Sequence, residues 1–285
     1  MAAPSRTCIA CESSETGLER TVRGFEVHAC RVCGLRFVPP DLLAAVDYDE
    51  LYTAGGDYGA SVEEADRMGR GELIEFPRAR RATLEELRRH PPATLLEVGC
   101  GVGNFLRWTD RMGIRSFGID PSVNATDMAR RNLPSCPIET GILSRDAFPG
   151  RSFDVICAWE VIEHISDVMG FMDTLRERLN PGGLLFMSTP NHDCAVLWRD
   201  MEQDPRSRPP VHVTFWNARS LQRFLDGRFE RTRIDRLSVP ANAARRSGGP
   251  AGRWLVHPLA LLCPSQRLTL RSRSRKAGEG RSVRA

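Results

Sequence analysis

Between residues 93 and 190 the apolar positions alternate between two periods. Short apolar runs at 95–98, 116–119, 153–158 and 183–188, with a weaker one at 137–140, read as buried strands. The stretches between them, 103–112, 122–131 and 168–179, space their apolar residues at three and four, as helices do. Strand and helix in strict succession predict an α/β fold with a doubly wound parallel sheet. Downstream, 211–215 is followed by a helical stretch at 218–225, and 229–237 reads as a late antiparallel strand. Upstream, 62–90 has helical spacing, with Pro77 interrupting it and His90-Pro91-Pro92 stopping it. Near the N-terminus, 21–28 alternates like a hairpin strand.

Composition adds a tail to this picture. From Arg236 onward eleven Arg and Lys face one acid, Glu279, so the net charge of +4 divides into +10 for residues 236–285 and −6 for the rest. A mildly acidic body argues against a nucleic-acid groove in the core. The tail, residues 241–285, is basic, small and glycine-rich, and its last twenty or so residues are expected to be disordered. No apolar run approaches the roughly 18 residues of a membrane span, and residues 1–8 lack a signal-peptide core. A cytoplasmic protein of 285 residues with reduced thiols follows as the expectation.

The nine cysteines separate by spacing. Cys8-x2-Cys11 and Cys30-x2-Cys33 form two knuckles 18 residues apart, the arrangement of an all-cysteine zinc ribbon, with Gly34 supplying the turn after the second. Four protein ligands close the coordination sphere, so this zinc would be structural and take no part in chemistry. Four unrelated buried cysteines, or a redox pair, are the alternatives.

The stretch Glu97-Val98-Gly99-Cys100-Gly101-Val102-Gly103 follows a strand and opens a helix. Glycine at alternate positions lets an extended ligand lie against backbone, with helix N–H groups directed at it. Such turns also bind NAD and FAD. Asp120, directly after the second strand, is placed to accept hydrogen bonds from both hydroxyls of a ribose, or else to cap the helix that follows Pro121.

Together with Phe117-Gly118-Ile119-Asp120-Pro121-Ser122, Ser152-Phe153-Asp154-Val155-Ile156, Trp159-Glu160-Val161-Ile162-Glu163-His164-Ile165 and Leu179-Asn180-Pro181-Gly182-Gly183-Leu184-Leu185, the glycine turn resembles the ordered motifs of class I S-adenosylmethionine-dependent methyltransferases. The resemblance covers about residues 93 to 190. It implies a Rossmann-like, seven-stranded sheet with an antiparallel last strand. It also implies S-adenosylmethionine as cofactor, its methionine end on Glu97, Gly99, Cys100, Gly101 and Gly103 and its ribose on Asp120. Adenine would lie near Pro121 and near Ile142, which stands where many members carry an acid, and Trp159 would stand at the carboxyl edge of the sheet.

The implied division is a zinc ribbon over 1–40, a linker over 41–60 whose Tyr48, Tyr52 and Tyr58 form a lid or simply pack on the surface, a methyltransferase domain over 61–240, and the tail. His164 and His212 are the candidate bases for an oxygen or carbon acceptor. If 160–164 is helical, Glu160, Glu163 and His164 share one face; the resemblance to quinone-type O-methyltransferases, which can hold a divalent cation such as Mg2+ there, implies such a site, and a capped helix start with His164 packed on the sheet is the alternative. His192 reads as a loop residue, and 193–210, with Trp198 and Arg199, as an irregular wall of an acceptor pocket. A small hydroxylated metabolite (sugar, quinone or natural product) is the expected acceptor. RNA methylation, or cofactor binding without catalysis, is the alternative, and a homo-oligomer stays open.

Overall fold

A computed structural model of the chain describes residues 6–53, 55–74, 78–193, 198, 201–203, 207–237 and 267–273. The elements run β1 (Thr16–Val22), β2 (Phe25–Cys30), β3 (Arg36–Phe37), α1 (Tyr48–Leu51), α2 (Gly59–Gly69), α3 (Arg78–Arg89), β4 (Thr94–Val98), α4 (Asn104–Arg111), β5 (Arg115–Asp120) and α5 (Val123–Asn132). They continue with β6 (Ile138–Thr140), β7 (Phe153–Trp159), α6 (Val168–Arg178), β8 (Leu179–Pro190), β9 (Thr214–Phe215), α7 (Ala218–Leu225), β10 (Arg231–Leu237) and β11 (Arg267–Arg273).

The large sheet has the order β10-β11-β8-β7-β4-β5-β6. Strands β4 to β8 pair in parallel, as the near-continuous apolar runs require of strands buried on both faces. Strand β11 runs antiparallel to β8, and β10 pairs antiparallel with β11, so β10 runs in the direction of the parallel body and the reversed strand is β11, at 267–273 and not at 229–237 as expected. Here the structure departs from the expectation for the tail, because residues 267–273 form a strand inserted between β8 and β10. The reason is visible in retrospect. Leu268 and Leu270 alternate with polar residues, and Leu270 stands opposite Met187 on one side and Ile234 on the other. A basic composition hid a period-two pattern. The remaining tail residues lie outside those described, as does Pro77.

The small sheet has the order β1-β2-β3-β9. The alternating stretch 21–28 is not one strand: Arg23 and Gly24 turn the chain with φ of 49° and 87°, joining Val22 to Phe25. Two consecutive positive φ values are what a tight two-residue hairpin needs to match strand twist. Strand β9 comes from far along the chain: Arg36 pairs with Phe215 and Phe37 with Thr214, and the Val38 N–H donates to the Val213 carbonyl at 2.8 Å. Cys8, Cys30, Cys33, Leu35 and Phe37 accordingly share one apolar cluster with Ile162, Trp216 and Leu221. The ribbon is thus continuous with the core of the α/β body rather than strung before it.

Candidate functional site

The carboxyl ends of β4, β5 and β7 bring Glu97, the glycine turn, Asp120 and Trp159 to one edge of the sheet. The turn takes positive φ at Gly99 (68°) and Gly101 (51°). A Cβ on Gly99 would lie 2.6 Å from the Val161 side chain, and one on Gly101 would lie 3.1 Å from the Tyr52 hydroxyl. Only glycine combines this backbone with these approaches. Cys100 is buried, its sulfur turned inward toward Gly118; its contribution to the turn is backbone.

Asp120 accepts from the Gly101 N–H at 2.8 Å through Oδ2 and from the Ser122 N–H at 3.0 Å through Oδ1. Each oxygen retains a further lone pair. Burial raises this carboxyl to about 6, against the two N–H groups. Glu97 is buried, its Oε2 lacks a hydrogen-bond partner among the described residues, and burial raises it to about 8. The charge of Arg80 pulls Glu97 the other way. The Arg80 guanidinium also sits 5.8 Å from the centre of the Trp159 ring, whose Nε1 is buried without a partner among the described residues. Arg80 escaped sequence reasoning because it is one of several arginines at the start of α3, and no spacing marks it out.

Helix α1 closes over this edge. Asp49 Oδ1 accepts from Ser122 Oγ at 2.8 Å and from the Asn124 N–H at 3.1 Å, and Asn124 Nδ2 donates to the Asp49 carbonyl. Tyr52 and Tyr58 stack with centroids 5.1 Å apart. Burial, then the Asp120 carboxylate, push the Tyr52 phenol upward. The Tyr52 hydroxyl thus lies over Gly101 of the glycine turn. The adenine-side positions are more open: Ile142 is 72% exposed, beyond Gly141, whose N–H donates to the Asp120 carbonyl. Pro121 stays partly exposed between them.

At the end of β7 the chain does not start a helix. Glu160 has φ of 56° and accepts from Ser188 Oγ at 2.6 Å, and only Ile162–His164 forms a single tight 3-10 turn. The expected face of Glu160, Glu163 and His164 is therefore absent. Instead Glu163, His164 and His212 converge, with potential ligand atoms within 4.8 Å of one another. The His164 and His212 rings meet edge to face at 4.7 Å. His164 Nδ1 lies 2.8 Å from the Val211 carbonyl, which can only accept. The proton therefore resides on Nδ1, leaving Nε2 as the basic nitrogen. Burial lowers His164 and so favours the neutral imidazole, the form able to take a proton.

In the ribbon, Cys8 and Cys33 sulfurs are 3.6 Å apart, as are those of Cys11 and Cys30. A tetrahedron of thiolates around zinc, with bonds of about 2.3 Å, has edges of roughly 3.8 Å. All four sulfurs lie within 4.8 Å of one another, so the donor set and its spacing fit a closed zinc site.

The Methyltransferase domain family profile matches residues 71–228. A ubiquinone biosynthesis O-methyltransferase of Methylocella silvestris is 35% identical over 133 residues, covering 44% of this chain and 50% of that protein. One from Rhizobium etli is 34% identical over 101 residues, covering 34% and 41%. The chain thus spans about half the length of the curated relatives it matches. Among solved structures, phosphoethanolamine N-methyltransferase 2 of Haemonchus contortus in complex with S-adenosyl-L-methionine superposes with a TM-score of 0.57 at 15% identity, over 85% of this chain and 62% of that one. An S-adenosylmethionine-dependent methyltransferase from Mesorhizobium loti gives 0.51 at 18% identity, over 68% and 97%. At these identities the likeness is one of fold. Profile and fold agree, and the chain belongs to the methyltransferase domain family.

Proposed function

We propose that this chain transfers the methyl group of S-adenosylmethionine to a hydroxyl of a small metabolite. The observation that carries the reading is the juxtaposition of a buried carboxylate, a positive-φ glycine turn and a ribose-ready aspartate with a histidine pair at the next strand end. Glu97 would take the ammonium of the methionine portion, Arg80 its carboxylate, Gly99 to Gly103 the backbone side of the ligand and Asp120 the ribose hydroxyls. The sulfonium is already a good leaving group, so the protein's part is alignment and exclusion of water. His164 Nε2 would remove the acceptor proton, with His212 as its wall. The O-methyltransferase relatives support a hydroxyl acceptor. The ribbon cysteines would hold zinc as a structural ion.

Glu97 supplies a test of cofactor placement. A carboxyl near 8 is mostly protonated at pH 7, and a bound ammonium favours its ionised form. Binding of S-adenosylmethionine at pH 7 is therefore expected to release a proton, and affinity to rise with pH up to about 8. Calorimetry in buffers of different ionisation heat reads the proton count directly. Affinity flat between pH 6 and 8 would remove Glu97 from the site.

The acceptor reading is tested by a screen for S-adenosylhomocysteine release across phenols, sugars and quinols. With an acceptor in hand, His164→Ala is expected to lower kcat by roughly 100-fold or more while cofactor affinity stays unchanged. A second reading, favoured by the convergence of Glu163, His164 and His212, has these residues hold a divalent cation beside the acceptor. The same assay run with and without added Mg2+ separates the two, because a histidine base works without it.

A further inference from the structure

Asp120 ends β5, with the glycine turn on one side of it. On the other side the first turn of α5 meets the chain leaving β6. Thr126 Oγ1 lies 2.6 Å from Thr140 Oγ1, and the Gly141 N–H donates to the Asp120 carbonyl at 2.9 Å. Four large apolar side chains are exposed among the described residues, and two of them stand here: Ile142, 72% exposed, and Val123, 48% exposed. A single exposed apolar residue is ordinary. A pair flanking the carboxylate assigned to the ribose is placed for the base that a ribose carries.

Ile142 does not ride on a loose loop. Leu143, next to it, is buried in the core. Arg178, buried at the end of α6, donates to the carbonyls of Ser144, Phe148 and Arg151 at 3.2, 3.3 and 2.9 Å, and also to those of Arg145 and Ala147. One planar guanidinium shared among five carbonyls fixes the path of the segment beyond Leu143. The exposure of Ile142 is therefore built into the backbone, and a flat apolar surface laid on it is removed from water at a gain.

The carboxylates of this edge are already engaged. Asp120 accepts from the Gly101 and Ser122 N–H groups, and Asp49 from Ser122 Oγ and the Asn124 N–H. Glu139 Oε1 accepts from the Phe148 N–H at 3.0 Å, and Asp127 pairs with Arg130 at 3.0 Å. Asp146 is exposed, where water competes for every bond its carboxylate could make.

We propose that the base subsite of this chain is apolar and indifferent to the 6-amino group of adenine, with Ile142 and Val123 flanking the ring. The amino group then keeps its hydrogen bonds to water, so its loss costs little. This inference rests on the cofactor reading and deepens it: shape and apolar contact select a purine, and Asp120 selects the ribose.

The test compares the full chain with Ile142→Ala and Ile142→Asp. Calorimetry gives the Kd of S-adenosylhomocysteine and of its 6-deamino analogue, in which purine replaces adenine, and thermal melts follow the fold. The parent is expected to bind the two within about threefold of each other. Ile142→Ala is expected to weaken both by about fivefold, with their ratio unchanged, and to melt within about 2 °C of the parent. Ile142→Asp adds an acceptor beside the base and is expected to favour S-adenosylhomocysteine by at least about tenfold. A parent that itself prefers S-adenosylhomocysteine by about tenfold overturns the proposal. Unchanged binding of both ligands by Ile142→Ala, or an unchanged ratio in Ile142→Asp, overturns it as well, since the side chain then does not face the base. A midpoint lowered by more than about 5 °C in Ile142→Ala does the same, by giving that side chain a role in the fold. Failure of the parent to bind S-adenosylhomocysteine strikes instead at the methyltransferase reading, and the proposal falls with it.

Discussion

Asp120→Ala is expected to weaken S-adenosylmethionine binding by at least about 100-fold in calorimetry, the largest cofactor effect of any single side chain here. A carboxylate accepting from two hydroxyls contributes roughly 1.5–3 kcal/mol per charge-assisted bond. Alanine also strips the Gly101 and Ser122 N–H groups of their acceptor, loosening the turn proposed to carry the ligand. The same residue predicts opposite signs for two pH profiles. Its carboxyl is raised in the folded state, from 3.8 to about 6, so between those values the folded chain binds more protons than the unfolded chain. For this group the empty protein therefore gains stability as pH falls from about 6 toward 4. Ribose hydroxyls need the ionised acceptor, so cofactor affinity falls over the same window. Thermal melts and calorimetry at pH 7 and pH 5 are expected to move in opposite directions, and parallel movement would exclude Asp120 as the ribose ligand.

Cys30→Ser is expected to lower the thermal midpoint by at least about 8 °C and to abolish one equivalent of bound zinc by elemental analysis. A structural zinc site contributes about 10 kcal/mol or more of apparent binding energy, and losing one of four ligands forfeits a large part of it. Even about 3 kcal/mol shifts a chain of this size by roughly 6–12 °C. The damage is predicted to travel. Cys30 is 2% exposed in the cluster that holds Ile162 and Trp216, and Arg36 and Phe37 pair with Phe215 and Thr214, on the same short segment as His212. Methyl transfer is therefore expected to fail before cofactor binding does. A variant that melts like the parent and carries the same zinc would show that Cys30 is not a ligand.

Covalent spacing alone announced several of these features. Two knuckles with two-residue gaps mark four cysteines as one candidate set, and the fold then brings their sulfurs together across the knuckles, Cys8 to Cys33 and Cys11 to Cys30 at 3.6 Å. The glycine turn and Asp120 were legible because strand, turn and helix are local periods, and a backbone needing positive φ leaves its mark as glycine. The histidine pair was legible as two candidates but not as a pair, since 48 positions separate them. The cation face drawn from 160–164 failed for a local reason: Glu160 takes a left-handed backbone angle that ends β7 without a helix.

The chain by itself thus determined its family, the parallel body of its sheet and the residues of the glycine turn, because short-range periodicity and spacing carry that information. The tertiary structure decided what lies against them: Arg80 beside Glu97, Tyr52 over Gly101, β11 from the tail between β8 and β10, β9 completing the ribbon, and Trp198 clamped beside His192. Each of these contacts joins positions far apart in sequence. No local period encodes them, and only the burial of two apolar surfaces against each other brings them into register.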